Sequence, residues 1–179
     1  MSNPSHFETP EFPLESSGDS EGPSHRQAHE IGCGALVIRA TEDGHAVCLK
    51  LDRIGKDYIH HYVVVLDPHP TSALELLYID PEENLFDCFA TLDLELGPAQ
   101  DIAPDVGHVF ENQAGHFIKA LDDPKSQKMF GFVETETGLV RLRQERKIAR
   151  VHPDWKARAK LKDEVLELAD LLKHFADKL

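Results

Sequence analysis

The sequence predicts a mainly β protein: an antiparallel sandwich or barrel of about eight strands, with one C-terminal amphipathic helix and a disordered N-terminal tail. Three observations carry this reading. Leu85–Leu96 alternates strictly, with Phe86, Cys88, Ala90, Leu92, Leu94 and Leu96 on one face and Asp87, Thr91, Asp93 and Glu95 on the other. That period of two marks a half-buried antiparallel strand whose second face is wet and acidic. Three short turns each close on a glycine, at Gly44, Gly115 and Gly138. From Leu161 onward, Leu161, Val165, Leu168, Leu172, Phe175 and Leu179 recur at alternating intervals of four and three, a heptad seam.

Taken in order, Met1–His29 is rich in Ser, Pro, Glu and Gly and lacks a hydrophobic period. Such a segment buries too little apolar area to offset its ordering entropy, so residues 1–29 read as a disordered acidic tail. Phe7, Phe12 and Leu14 stand alone in it. A β-domain spans 30–151. Ala35–Ala40 and Ala46–Arg53 flank a turn at Asp43-Gly44, where glycine tolerates positive φ. Asp57–Leu66 follows as an aromatic and β-branched strand covered on both faces towards its end. Pro68 and Pro70 stop it; Leu74–Ile79 is a further strand, and Pro81–Asn84 turns the chain into the alternating strand.

Two hairpins follow. Val106–Glu111 pairs with His116–Leu121, so that Glu111 faces His116 and His108 faces Lys119. Met129–Glu134 pairs with Leu139–Arg143, so that Phe132 faces Arg141 and Phe130 faces Arg143. The helix is expected over 152–179, with Pro153 in its first turn and Asp154 at the positive end of its dipole. Its seam (Leu161, Val165, Leu168, Leu172, Phe175) either covers a sheet of its own domain or pairs with a protein partner or a second copy; Leu166 and Leu171 widen it.

The chain has 179 residues and a net charge of −13, unevenly distributed. Nine basic and two acidic residues between Arg141 and Lys162 give +7, leaving −20 for the rest. This asymmetry points to a surface for an anionic partner, or to one that holds the chain's own acidic parts, the tail included. The second late hairpin adds chemistry to it. Phe130, Phe132, Arg141 and Arg143 share a face that suits stacking on bases or gripping phosphate and carboxylate, and Arg146, Lys147 and Arg150 extend it. Lys128–Val133 resembles the aromatic strand of RNA-recognition-motif domains. Met129 and Thr135 depart from that pattern, and the chain turns back as a strand where that family places a helix.

Other chemistry finds little support. His60 and His61 are neighbours in one strand and point to opposite faces; His108 and His116 lie on opposite sides of their hairpin. No metal, cofactor or catalytic motif is present at the sequence level. Cys33, Cys48 and Cys88 have no metal-type spacing and read as reduced, mostly buried thiols in a cytoplasmic protein. No apolar run is long enough to span a bilayer. The expectation is therefore a non-catalytic binding or adaptor protein using the helix seam and the adjacent basic segment. Nucleic-acid or phosphate-ligand binding on the Phe–Arg face is the alternative, with an enzyme site of unrecognised type in the β-domain as a third.

Overall fold

In a computed structural model, which describes residues 22–68, 74–122, 129–143 and 147–179, the chain is a two-sheet antiparallel sandwich with one short C-terminal helix. The strands are β1 (Ser24–Gln27), β2 (Ala35–Thr41), β3 (Gly44–Ile54), β4 (Ile59–Asp67), β5 (Leu77–Ile79), β6 (Asn84–Leu96), β7 (Val109–Asn112), β8 (Gly115–Leu121), β9 (Phe130–Glu134), β10 (Val140–Arg141), β11 (Arg150–His152), β12 (Trp155–Lys160) and β13 (Val165–Glu167). Helix α1 spans Leu168–His174. The larger sheet runs β13-β12-β6-β2-β3-β4-β5, with β1 beside the first part of β6; the smaller runs β10-β9-β8-β7-β11. Parallel bridges at Asp52–Leu139 and Glu75–Leu121 join the two. The strands that end the two sheet orders are only two or three residues long, and β1, which pairs with β6 alone, has four.

The turn chemistry sets the expected registers. Thr41 pairs with Gly44, Asn112 with Gly115, and Glu134 N–H donates to the Leu139 carbonyl at 2.9 Å. Glu111 faces His116, as read from sequence, and the Lys119 N–H donates to the His108 carbonyl at 3.2 Å. Phe132 faces Arg141, whereas the pairing ends there and Arg143 lies beyond β10. At Gly138, φ is +71°, and a side-chain carbon would fall on the backbone of Gly34 and Cys33. Glycine is thus required where the β9–β10 turn meets the segment before β2.

The inner faces of the two sheets form the main core, which includes Leu36, Leu49, Phe86, Val109, Ile118 and Val133. Five strands cannot cover the whole inner face of the larger sheet. Leu168, Leu171 and Phe175 from the C-terminus complete that core, with the Phe175 ring 5.1 Å from Phe86. A second cluster lies on the back of the larger sheet, where Ala28 and Ile31 cover Val37, Cys48, Val63 and Leu85. A third lies on the outer face of the smaller sheet around Phe110, Phe117 and Val151, with Phe132 and Ile148 packed against it.

Three expectations are corrected. The helix begins at Leu168, because Trp155–Lys160 and Val165–Glu167 form a hairpin that extends the larger sheet. Helix-favouring Lys, Ala and Arg side chains are overridden there by register: Lys156 stands opposite Glu95 and Arg158 opposite Asp93, while Ala157 and Ala159 face inward. The expected seam is therefore split, with Leu161 in a turn, Val165 exposed on β13, Leu168 and Phe175 in the core, and Leu172 only partly buried against it. Residues 1–21 of the expected tail lie outside the described residues, but Ser24–Gln27 pairs with β6 and Ala28 is buried. That strap covers the first half of β6, so Asp87 is buried rather than wet.

Because Leu171 is fully buried, Leu171→Ala should cost about 2–5 kcal/mol in denaturant unfolding. A chain ending at Val151 loses β12 and α1 together and should show no cooperative transition; a sharp one would contradict this packing. Burial also pushes the thiols of Cys48 and Cys88 from 9.0 up to about 12. The unfolded chain releases these protons first, so stability present below the ordinary thiol value is lost as pH rises towards the folded one. Each thiol contributes a slope of about 1.4 kcal/mol per pH unit. Unfolding curves above pH 9 should thus flatten when both are replaced by alanine; unchanged slopes would refute the assignment.

Candidate functional site

Alternation along the β3–β4 ladder builds two clusters back to back. Asp52 pairs with His61, Arg53 with His60, and Leu51 with Tyr62, while Tyr62 also pairs with Tyr78 on β5. Since neighbours in a strand point to opposite faces, Asp52 and His61 go to the back of the sheet and Arg53 and His60 to the front. The predicted separation of His60 from His61 is observed, and each enters a different cluster.

The back cluster is polar and buried. The Lys50 ammonium, fully enclosed, donates to the Asp52 carboxylate and lies 3.0 Å from Nδ1 of His61, which is itself 2.7 Å from Asp52 Oδ1. Cys33 lies beside this group, and burial and then the Asp52 charge push its thiol up. A thiol so placed stays protonated near neutrality and is a poor nucleophile. The cluster therefore holds structure: it ties β3 to β4, while the Lys50 carbonyl accepts from Gly34 N–H at 2.8 Å and Asp52 N–H donates to the Gly138 carbonyl at 3.1 Å.

The front cluster is aromatic. The chain has three tyrosines, and all converge here. His60 lies 4.4 Å from Tyr58, 5.9 Å from Tyr78 and 6.4 Å from Tyr62, and Tyr62 lies 5.9 Å from Tyr78. Tyr62 forms a buried floor, with its phenol pushed up by burial, whereas Tyr58 and Tyr78 are 58% and 59% exposed. The Arg53 guanidinium sits 5.3 Å from the centre of the Tyr62 ring and pairs with Asp122 at 3.3 Å. Gly55 N–H donates to the Tyr58 carbonyl, and the Tyr58 ring fills the space that a side chain at Gly55 would need.

The residues singled out from sequence are dispersed. Phe130 and Phe132 share the outer face of the smaller sheet with Arg141, as the register requires. That face is half covered: Phe132 meets Phe110 edge-on at 5.9 Å, and the Lys119 ammonium lies 4.4 Å above Phe130. Lys147 and Arg150 line one cleft with Gln100–Pro104, Arg143 is exposed, and Arg146 lies outside the described residues. Much of the basic segment is matched internally, by Arg141–Glu134, Arg150–Glu111, Lys156–Glu167 and Arg158 with Asp93 and Glu95. Among the described residues no group of three or more His, Cys, Asp or Glu side chains is arranged to hold a metal ion. Nor is any helix long and apolar enough to cross a membrane.

The tyrosine face went unread in the sequence although a signal was there. Tyr58, His60 and Tyr62 recur at intervals of two, but the run reads as a doubly covered strand, and Tyr78 joins it only through the β4–β5 register. Comparison of the chain with protein-family models, characterised proteins and solved structures yields no match.

Removing Lys50 leaves Asp52 facing only a histidine inside the protein. Lys50→Ala should cost about 3 kcal/mol, measured by chemical unfolding, because a largely buried carboxylate loses its ammonium partner. A loss within the range of ordinary surface changes would show that the cluster does not hold β3 to β4.

Proposed function

We propose that this is a non-catalytic binding protein that engages a protein partner through the front face formed by Tyr58, His60, Tyr62 and Tyr78. The observation that carries the reading is the convergence of every tyrosine in the chain on one face, with two of the rings more than half exposed. Tyrosine is enriched in the energetic centres of protein interfaces, and it offers large amphipathic area at small entropic cost. The enclosed Lys50–Asp52–His61 group behind the face supplies the rigidity that recognition needs.

This reading moves the recognition surface away from the C-terminal helix, whose Leu168 and Phe175 are occupied in the core. A second reading, anion binding on the outer face of the smaller sheet, is favoured by Phe132 and Arg141 sharing that face and by Lys147 and Arg150 lining one cleft. The two separate by ionic strength, since phosphate contacts weaken steeply with added salt and aromatic contacts far less.

Photo-reactive phenylalanine analogues placed at 58 and 78 should cross-link a protein partner in the source cell, while the same analogue at Leu142, exposed elsewhere, should not. Equal cross-linking from all three positions, or none, would remove the face as the recognition surface.

A further inference from the structure

The front face has a specific chemistry beyond exposed apolar area. Centroid separations among His60, Tyr62 and Tyr78 are 5.9, 5.9 and 6.4 Å, a nearly equilateral triangle of rings. The ring planes are mutually inclined by 46° to 83°. Tyr58 meets the same histidine at 78°. Rings inclined to one another in this way do not offer one flat platform for a base or a sugar. The exposed Tyr58 and Tyr78 rings instead offer separate π-surfaces, each of which can hold a cationic group.

The chain already uses one of these rings in that way. Arg53 lies over Tyr62 at 5.3 Å, with its charge balanced by the largely buried Asp122. Tyr58 and Tyr78 make no such contact among the described residues and are exposed. The net charge of −13 draws basic partners towards the molecule and disfavours acidic ones. Arg39, Arg141, Arg150 and Arg158 are matched by the chain's own carboxylates, which lessens competition from its own arginines.

We infer that the tyrosine face receives a cationic side chain, a guanidinium, from a basic segment of the partner protein, seated against Tyr58, His60 and Tyr78. This inference rests on the face being the recognition surface. It adds the chemistry of the occupant: a guanidinium set over an aromatic ring, as that of Arg53 is over Tyr62 at 5.3 Å.

The test titrates the full chain, by calorimetry, with two short blocked peptides. One alternates arginine with glycine; the other carries citrulline, the uncharged counterpart of arginine, at each arginine position. The arginine peptide should bind roughly tenfold or more tightly than the citrulline peptide. Tyr58→Leu and Tyr78→Leu leave net charge untouched, and each should weaken the arginine peptide by about fivefold. Tyr78→Phe, which keeps the ring, should bind as the unaltered chain does. Both tyrosines are exposed, so these variants should retain the unfolding midpoint. Equal affinity in the leucine variants would overturn the inference, because acidic surface charge alone would then account for binding. Failure of the arginine peptide to bind at millimolar concentration, or equal binding of the citrulline peptide, would overturn it as well. Either result combined with site-specific cross-links from 58 and 78 removes the cation and leaves the recognition face, whereas absence of those cross-links removes both.

Discussion

The structure depends on a mismatch in size between its two sheets. Eight strands in one face five in the other, and apolar residues on the larger sheet continue past the rim of the smaller. Uncovered apolar area of that extent is unfavourable in water, so other segments are recruited to it. The C-terminal residues Leu168, Leu171 and Phe175 close one end, and the strap around Ala28 and Ile31 closes the back. At the far end of the β3–β4 ladder the covering stops, and the tyrosines fill the transition between core and solvent. Their rings bury apolar area on one side and keep a polar tip outside, which suits a border position.

Much of this was legible locally. Turn glycines fixed the hairpin registers, and alternation placed Phe86, Cys88 and Ala90 on the buried face of β6. That alternation persists across an irregularity, where Leu36 pairs with Ala90 but Val37 with Asp87. Parity alone separated His60 from His61. The C-terminal stretch was different, because Trp155–Lys160 satisfies two patterns: its composition favours helix, and its alternation of basic with small apolar residues favours strand. The deciding partners, Asp93 and Glu95, lie about sixty positions earlier, and only the folded register brings them opposite. The tyrosine face was obscured for a similar reason, since one of its four rings, Tyr78, lies on a three-residue strand whose pairing no local rule specifies.

Charge tells a related story. The +7 segment has the look of a docking surface when counted along the chain. In space, Arg158 bridges two carboxylates on β6, and Lys156 and Arg150 each find one. These exposed pairs add little stability individually. Their effect is on register and specificity: they favour β12 beside β6 over a competing helix, and they mute the positive field that the linear count suggests. Sequence asymmetry of charge is therefore an ambiguous signal when the opposite charge is carried on a neighbouring strand.

The brevity of the outermost strands has a consequence for how the protein survives at high concentration. A sheet-rich chain invites edge-to-edge growth, because each open border is a row of unpaired amides ready to template another molecule. Here the long strands, β3 and β6 above all, are interior, while β5, β10, β11 and β13 offer two or three residues apiece. Borders that short give an incoming strand few hydrogen bonds to set against the entropy of joining, which makes edge-to-edge growth from these strands unfavourable. Aggregation would have to begin from chains that have first lost β12 or the strap and laid β6 bare.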